Sequence, residues 1–235
     1  MDYAELPLPP ALDGLVAAVW TLAGDQPGWV EHEATPDGCV ELIWRSAGRS
    51  EWRRAQPEIF ATGLSTHPIR FGFSGDARFT AIKLWPWAWH ALGGARCPSF
   101  ADDWIAVDPA SPLAALLRGD PVANLARALD GVAPPPLARA ILAETSVAGI
   151  AARTGLPPRR LQRIFARELG MAPRAYLRLL RFRAAMQDVQ QSADSLADTA
   201  AARGYADQAH MARDFRALAG IPPSDARTRA RGPFL

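Results

Sequence analysis

The sequence predicts an α+β protein: an antiparallel β sandwich or barrel-like domain with a few helices, followed by an all-α domain. Three observations carry this prediction. Six short runs rich in apolar, branched or aromatic residues fill positions 15–85, with turn signals between them. The segment Gly131-Val132-Ala133-Pro134-Pro135-Pro136 then breaks the pattern with three prolines, which favour a stiff, extended backbone. After that break, one helical pattern occurs twice, fifty positions apart.

In the first half the candidate strands are residues 15–23, 29–34, 39–45, 58–62, 69–74 and 77–85. Pro27-Gly28, Pro36-Asp37-Gly38, Ala47-Gly48, His67-Pro68 and Gly75-Asp76 punctuate them. Short strands at this spacing suit a small antiparallel sandwich or barrel. From Trp87 the spacing becomes helical, over residues 88–92, 112–117 and 121–129. The proline segment places the boundary between a β-rich domain, residues 1–133, and a helical domain, residues 137–230.

The second half opens with a helix over 137–144 that turns Leu137, Ile141 and Leu142 inward. From Pro158 the chain reads PRRLQRIFARELGMAP, and from Ala209 it reads AHMARDFRALAGIPP. At an offset of fifty, Arg163 falls on Arg213, Phe165 on Phe215, Gly170 on Gly220 and Pro173 on Pro223, while Leu161 meets Met211. An alanine-rich run ending in glycine precedes each copy, SVAGIAARTG and SLADTAAARG, so each copy reads as helix, glycine turn, helix. Ser146 or Thr145 caps the first helix of copy one, and Ser195 that of copy two. Pro158 and Pro173 open helices, where the missing N–H does little harm.

The second helix of copy one buries Leu161, Ile164, Phe165 and Leu169 at helical spacing. Arg159, Arg160, Gln162, Arg163 and Arg167 fall on its other faces. In copy two, Met211, Phe215 and Leu218 form the buried stripe, leaving Asp207, Gln208, His210 and Arg213 for water or a ligand. A recognition helix reads bases from its N-terminal half, with Arg to guanine and Gln to adenine as the favoured pairings. One copy alone would fit a plain helix pair with a solvated basic face equally well; two in tandem favour double-stranded DNA. The joining helix, to about residue 189, sets Tyr176, Leu177, Leu180, Phe182 and Met186 inward and spreads Arg174, Arg178, Arg181 and Arg183 over the rest. Those arginines have both phosphate contact and simple solvation open to them, and the tail Arg227 to Arg231 adds non-specific attraction to DNA.

Charge follows the same division. Residues 138–235 hold 16 Arg and no Lys against 8 Asp and Glu, whereas residues 1–137 hold 10 basic against 16 acidic residues. A basic half beside an acidic half suits a nucleic-acid-binding domain joined to one that binds no phosphate. Cys39 and Cys97 form no CxxC pair, so neither a disulfide scaffold nor structural zinc is expected. The start MDYAELPLPP is no secretory signal, and the apolar stretches fall well short of the roughly 20 residues that span a bilayer. A cytoplasmic protein with no membrane contact and no cofactor is expected.

His32, Glu33, Glu41, His67 and His90 are the available metal ligands, but their spacing sets no two side by side with a third near, so no metal is expected. Cys39 could serve as a redox or alkyl-acceptor thiol only if its pKa were lowered, and Asp37 and Glu41 nearby tend to raise it. No nucleophile–base–acid set stands out, and no catalytic residue is assigned. All eight tryptophans lie in the first half, and the run Trp85-Pro86-Trp87-Ala88-Trp89 makes Trp44, Trp85, Trp87 and Trp89 the candidates for an effector pocket.

The stretch from about Leu137 to Arg227 resembles the C-terminal domain of AraC/XylS-type bacterial transcription regulators, through RRLQRIF with Gly170 and Pro173, and GYADQAHMARDF with Gly220 and Pro223. The resemblance implies two helix-turn-helix units joined by a long helix and inserted into successive major-groove segments on one side of the duplex. It places base reading on Arg159, Gln162 and Arg163 in copy one, and on Gln208, Ala209, Ala212 and Arg213 in copy two; the two alanines can offer only methyl contacts. The segments TPDGCVELIWR and AIKLWPWAWHALG are similar to the sensor-like domain of one branch of these regulators, with Pro86-Trp87 replacing its usual Pro-Gly step. The function implied is a sequence-specific transcriptional regulator, responsive to a small-molecule effector through its first domain, dimerising through that domain, and contacting RNA polymerase if it activates. Two other readings stay open: a DNA-binding protein with thiol or alkyl-repair chemistry at Cys39, and a helical adaptor whose repeat binds protein.

Overall fold

Alternation along the strands of the first half builds a sheet that is buried on both faces. The computed structural model describes residues 1–192 and 194–228. Its strands, in chain order, are β1 (Asp2–Glu5), β2 (Val16–Ala23), β3 (Trp29–Ala34), β4 (Val40–Ala47), β5 (Ser50–Trp52), β6 (Arg54–Ala55), β7 (Ile59–Thr62), β8 (Ile69–Ser74), β9 (Arg78–Leu84) and β10 (Trp104–Ala106). They form a six-stranded sheet, β1-β2-β9-β4-β7-β10, and a four-stranded sheet, β3-β8-β5-β6, with antiparallel pairing throughout. In the larger sheet Trp20 lies opposite Ala81, and Ile43 lies opposite Ala81 from the other side. These residues share a core with Trp52, Phe60 and Phe73, between the sheets. The alternate residues Val19, Val40, Leu42, Ile82 and Leu84 face the opposite way and join a second core.

That second core is continuous with the helical half. Its members include Leu42 and Ile82 of the sheet, Tyr176 and Phe182 of the long helix, and Phe165 and Phe215 of the repeat. The helices are α1 (Pro86–Ala91), α2 (Pro112–Ala115), α3 (Pro121–Ala128), α4 (Pro136–Ala143), α5 (Val147–Thr154), α6 (Pro158–Leu169), α7 (Pro173–Gln191), α8 (Leu196–Ala202), α9 (Gln208–Ala219) and α10 (Pro223–Thr228). No helix among the described residues is long and apolar enough to cross a membrane.

Several expectations are corrected. β1 is an edge strand of mostly exposed residues, so it carries no apolar signal. β5, β6 and β10 have two or three residues each, too few for periodicity to register. β4 runs past Arg45 to Ala47 through an irregularity in its register with β9. β9 stops at Leu84, because Trp85 turns extended to cap a helix whose first residue is Pro86. In α4, Ala138 and Ile141 lie inward while Leu142, one residue on, is 39% exposed. Of the basic tail, Arg229 and Arg231 lie outside the described residues, as does residue 230 at the end of the expected helical domain.

Candidate nucleic-acid interface and interior cavity

Each copy of the repeat folds into the same local geometry by slightly different means. Ser146 accepts a 3.0 Å hydrogen bond from the Gly149 N–H and starts α5, and Ser195 accepts one of 3.1 Å from the Asp198 N–H and starts α8. α6 and α9 follow, each 12 residues long and each closed by a left-handed glycine, Gly170 (φ +73°) and Gly220 (φ +66°). Leu161, Phe165 and Leu169 of α6 are buried, as are Met211, Phe215 and Leu218 of α9. α7 is the spine between them. Phe165 meets Tyr176 edge-on at 6.0 Å, and Phe215 meets Phe182 edge-on at 5.1 Å.

Burying those stripes turns the opposite faces outward. Arg159, Arg160, Gln162 and Arg163 of α6 are exposed, as are Gln208, Ala209 and Arg213 of α9, while Ala212 is half-buried. Asp207 acts within its own helix, where its carboxylate accepts a 2.6 Å hydrogen bond from the His210 N–H and caps α9. The His210 ring stands edge-on to Tyr205 at 5.1 Å, which leaves it half-buried.

The arginines of the joining helix, expected on its outer surface as phosphate contacts or solvated groups, behave differently. Arg178 and Arg181 converge on the buried Asp214 of α9, at 2.7 and 3.5 Å. Arg183 points into the β domain, with Nη1 3.1 Å from Cys39 Sγ and its guanidinium 4.9 Å from the Trp85 ring. These three hold the fold, and of the four only Arg174 stands exposed. The signal for the difference was Asp214, an acid at a position that helical spacing places beside the buried Met211 and Phe215.

Between the two sheets lies a cavity of about 60 Å³, against the roughly 10–15 Å³ that one water needs. Its aromatic wall includes Trp20 and Trp52, and its charged end holds Asp37, Glu41 and Lys83. The four tryptophans singled out from the sequence are not in this wall. Trp87 and Trp89 instead line a separate cavity of about 230 Å³, where α1 meets α4 and α6. Trp85 lies parallel to Trp87 at 5.5 Å, and Trp44 donates its indole N–H to Glu58 at 2.8 Å on the outer face. Trp20 and Trp52 escaped notice because the run from Trp85 to Trp89 dominates the local composition, whereas alternation alone places Trp20 on an inner face.

The charged end of the cavity is buried and coupled. Burial would raise the Asp37 carboxyl, but the charges of Lys83, at 2.8 Å, and of Arg183 hold it below the usual range. Glu41 is compensated less: Lys83 is 3.9 Å away, and among the described residues its direct donor is the Trp20 indole at 2.7 Å. Burial, with Asp37 adding to it, pushes the Glu41 carboxyl up to about 7. Burial and Asp37 likewise push the Cys39 thiol up to about 12, the opposite of what an alkyl-accepting or redox thiolate requires. Among the described residues no three of His, Cys, Asp and Glu gather to hold a metal ion.

Two helix-turn-helix units on one spine, with exposed Arg and Gln on the outward faces of α6 and α9, define a tandem helix-turn-helix DNA-binding module. Residues 150–229 match a family described as a helix-turn-helix domain, and residues 5–106 match a domain of unknown function, DUF6597. The transcriptional activator RhaS of Pectobacterium atrosepticum is 36% identical over 87 residues, 37% of this chain and 31% of that protein. The RhaS of Pectobacterium carotovorum matches equally. The chain thus spans about a third of the length of these curated relatives. The structure of ToxT from Vibrio cholerae aligns over 89% of this chain and 97% of its own, with a TM-score of 0.51 and 9% identity, a likeness of fold. These likenesses support reading the chain as an AraC/XylS-type regulator with a further N-terminal domain.

Proposed function

We propose that the protein is a sequence-specific DNA-binding transcriptional regulator in which residues 1–133 form a sensor and dimerisation domain and residues 137–230 form the DNA-reading domain. The observation that carries this is the pair of equivalent outward faces. Arg159, Gln162 and Arg163 on α6, and Gln208 and Arg213 on α9, are exposed in the N-terminal halves of two helices fixed to a single spine. Arg160 adds charge beside the first set, Ala209 and Ala212 offer methyl contacts in the second, and Asp207 and His210 shape the start of α9. Phosphates are held by arginines and helix N-termini. A small molecule bound in the first domain shifts the DNA-competent population to the extent that it binds the two states differently. A homodimer and, for an activator, RNA polymerase complete the set of partners.

The test is binding of the full chain to duplex DNA from upstream of its own coding sequence, with random duplex as competitor, across a salt series. Preferential binding with log affinity falling steeply against log salt supports the reading. Absence of binding to either duplex at low salt removes it. An affinity for protein that is insensitive to salt would point to a helical adaptor instead.

A further inference from the structure

The cavity between the sheets is more than a packing gap, because its walls combine aromatic rings with an unevenly compensated charge. The rings of Trp20, Trp52, Phe60, Phe71 and Phe79 line it. Ser50 also lines it, 3% exposed, with its hydroxyl oxygen buried and without a hydrogen-bond partner. A buried hydroxyl without a protein partner is costly, and it is open to a hydrogen bond from a ligand. The charged groups of the wall are two carboxylates, Asp37 and Glu41, and one ammonium, Lys83. Lys83 is committed to Asp37 at 2.8 Å, and Asp37 also accepts the Cys39 N–H at 3.0 Å. Glu41 therefore shares that ammonium, at 3.9 Å, and accepts the Trp20 indole N–H at 2.7 Å.

We propose that this cavity is a binding site for a small organic cation, a short alkylammonium whose charged head sits on Glu41 and whose apolar body packs against the aromatic wall. Aromatic rings attract cations through their quadrupole, and a buried carboxylate short of a counter-charge gains most from one. The Ser50 hydroxyl supplies a further acceptor or donor for the ligand. The opposite charge is disfavoured here: an anion would approach two carboxylates and would have to detach Lys83 from Asp37. The assignment rests on reading residues 1–133 as the sensor, yet its test needs no DNA, so its failure would leave the DNA-binding reading untouched.

Affinity also depends on pH in a defined way. Glu41 is faced by Trp20 from β2, Lys83 from β9, Tyr3 from β1, and Asp37 and Cys39 from the turn before β4, with Arg183 of α7 behind Asp37. Asp37 is held low, Lys83 is held high, Arg183 stays charged, and Cys39 and Tyr3 are pushed far above neutrality. Between pH 6 and 8 Glu41 is the member of this group that changes charge, so a cation binds more tightly as pH rises through that range.

The probes are methylammonium and ethylammonium, compared with ethanol and acetate, titrated calorimetrically into the full chain. Expected are saturable binding of at least one cation, at least tenfold weaker binding of ethanol and acetate, and at least a tenfold loss in Glu41→Gln. Binding of acetate as tight as that of the cations overturns the proposal, as does retention of cation affinity in Glu41→Gln or no saturable binding of either cation. Should Glu41→Gln not fold, the wild type decides: cation affinity must rise several-fold from pH 6 to pH 8, and a flat profile overturns the assignment.

Discussion

The hydroxyl of Tyr176, in the helix that joins the two DNA-facing units, donates a 2.8 Å hydrogen bond to the carbonyl of Gly38, 138 positions earlier in the chain. Gly38 sits at φ +78°, and a Cβ there would lie 2.9 Å from Leu180 and 3.3 Å from Tyr176, both on α7. The turn around Gly38 is thus pressed directly against the spine of the helical half, as only glycine allows. On its other side, Asp37 and Cys39 form part of the cavity wall. One short turn separates the candidate ligand site from the helix that fixes the spacing of α6 and α9.

Tyr176→Phe removes that bond and leaves a buried carbonyl without its donor. The expected loss is about 1–3 kcal/mol, read as a lower urea midpoint at unchanged slope. Because one core runs through both halves, wild type should unfold in a single transition by tryptophan fluorescence and by far-ultraviolet circular dichroism. All eight tryptophans lie in residues 1–137, so two separated transitions would show that the shared core does not couple the halves.

Arg163→Ala tests base reading. Arg163 is exposed on α6 and equivalent to Arg213 on α9. A bidentate contact to guanine is worth about 1–3 kcal/mol of discrimination. The variant should lose preference at one base position of its operator while keeping much of its affinity for random duplex. Equal weakening on specific and random DNA would make Arg163 a phosphate contact.

The sequence made the repeat legible because buried stripes, cap residues and left-handed glycines recur together, at an offset of 49 in the first helices and 50 in the second, and all of these are local features. α6 and α9 occupy equivalent positions for that reason. The cavity was not legible, because Trp20, Glu41, Ser50 and Lys83 come from four different strands. Which of them meet depends on register, and pattern alone leaves register open. The joining helix misled in the same way. Arg178, Arg181 and Arg183 read as a basic surface until the fold supplied Asp214 and Cys39 as their neighbours.

Asp207 separates capping from recognition. As a cap, Asp207→Ala should destabilise the protein by about 0.5–2 kcal/mol, while Asp207→Asn, which keeps the accepting oxygen, should stay close to wild type. Both effects are read by thermal or urea denaturation without DNA. If Asp207→Asn changes the preferred base at one operator position while leaving stability intact, the side chain also touches DNA.

Glu41 should leave a signature in the pH dependence of stability. Burial pushes its carboxyl up to about 7 in the fold, from an ordinary value of 4.5. The folded state therefore holds this proton more tightly than the unfolded chain does. The stability contribution is full below about 4.5 and is lost as pH rises through about 7. Asp37 has the reverse sign: it is held low, so its contribution is present above the ordinary carboxylate range and disappears only in acid. Between pH 5 and 8 the change is thus Glu41's. Subtracting the stability of Glu41→Gln, which has no proton to lose at that position, cancels the titration of histidines and surface groups. The difference, wild type minus variant, should fall by up to about 1.4 kcal/mol per pH unit at its steepest and level off above neutrality. A difference that stays flat from pH 5 to 8 would mean that Glu41 ionises as an ordinary solvated carboxylate, and that the cavity is wetter and more open than its aromatic walls imply.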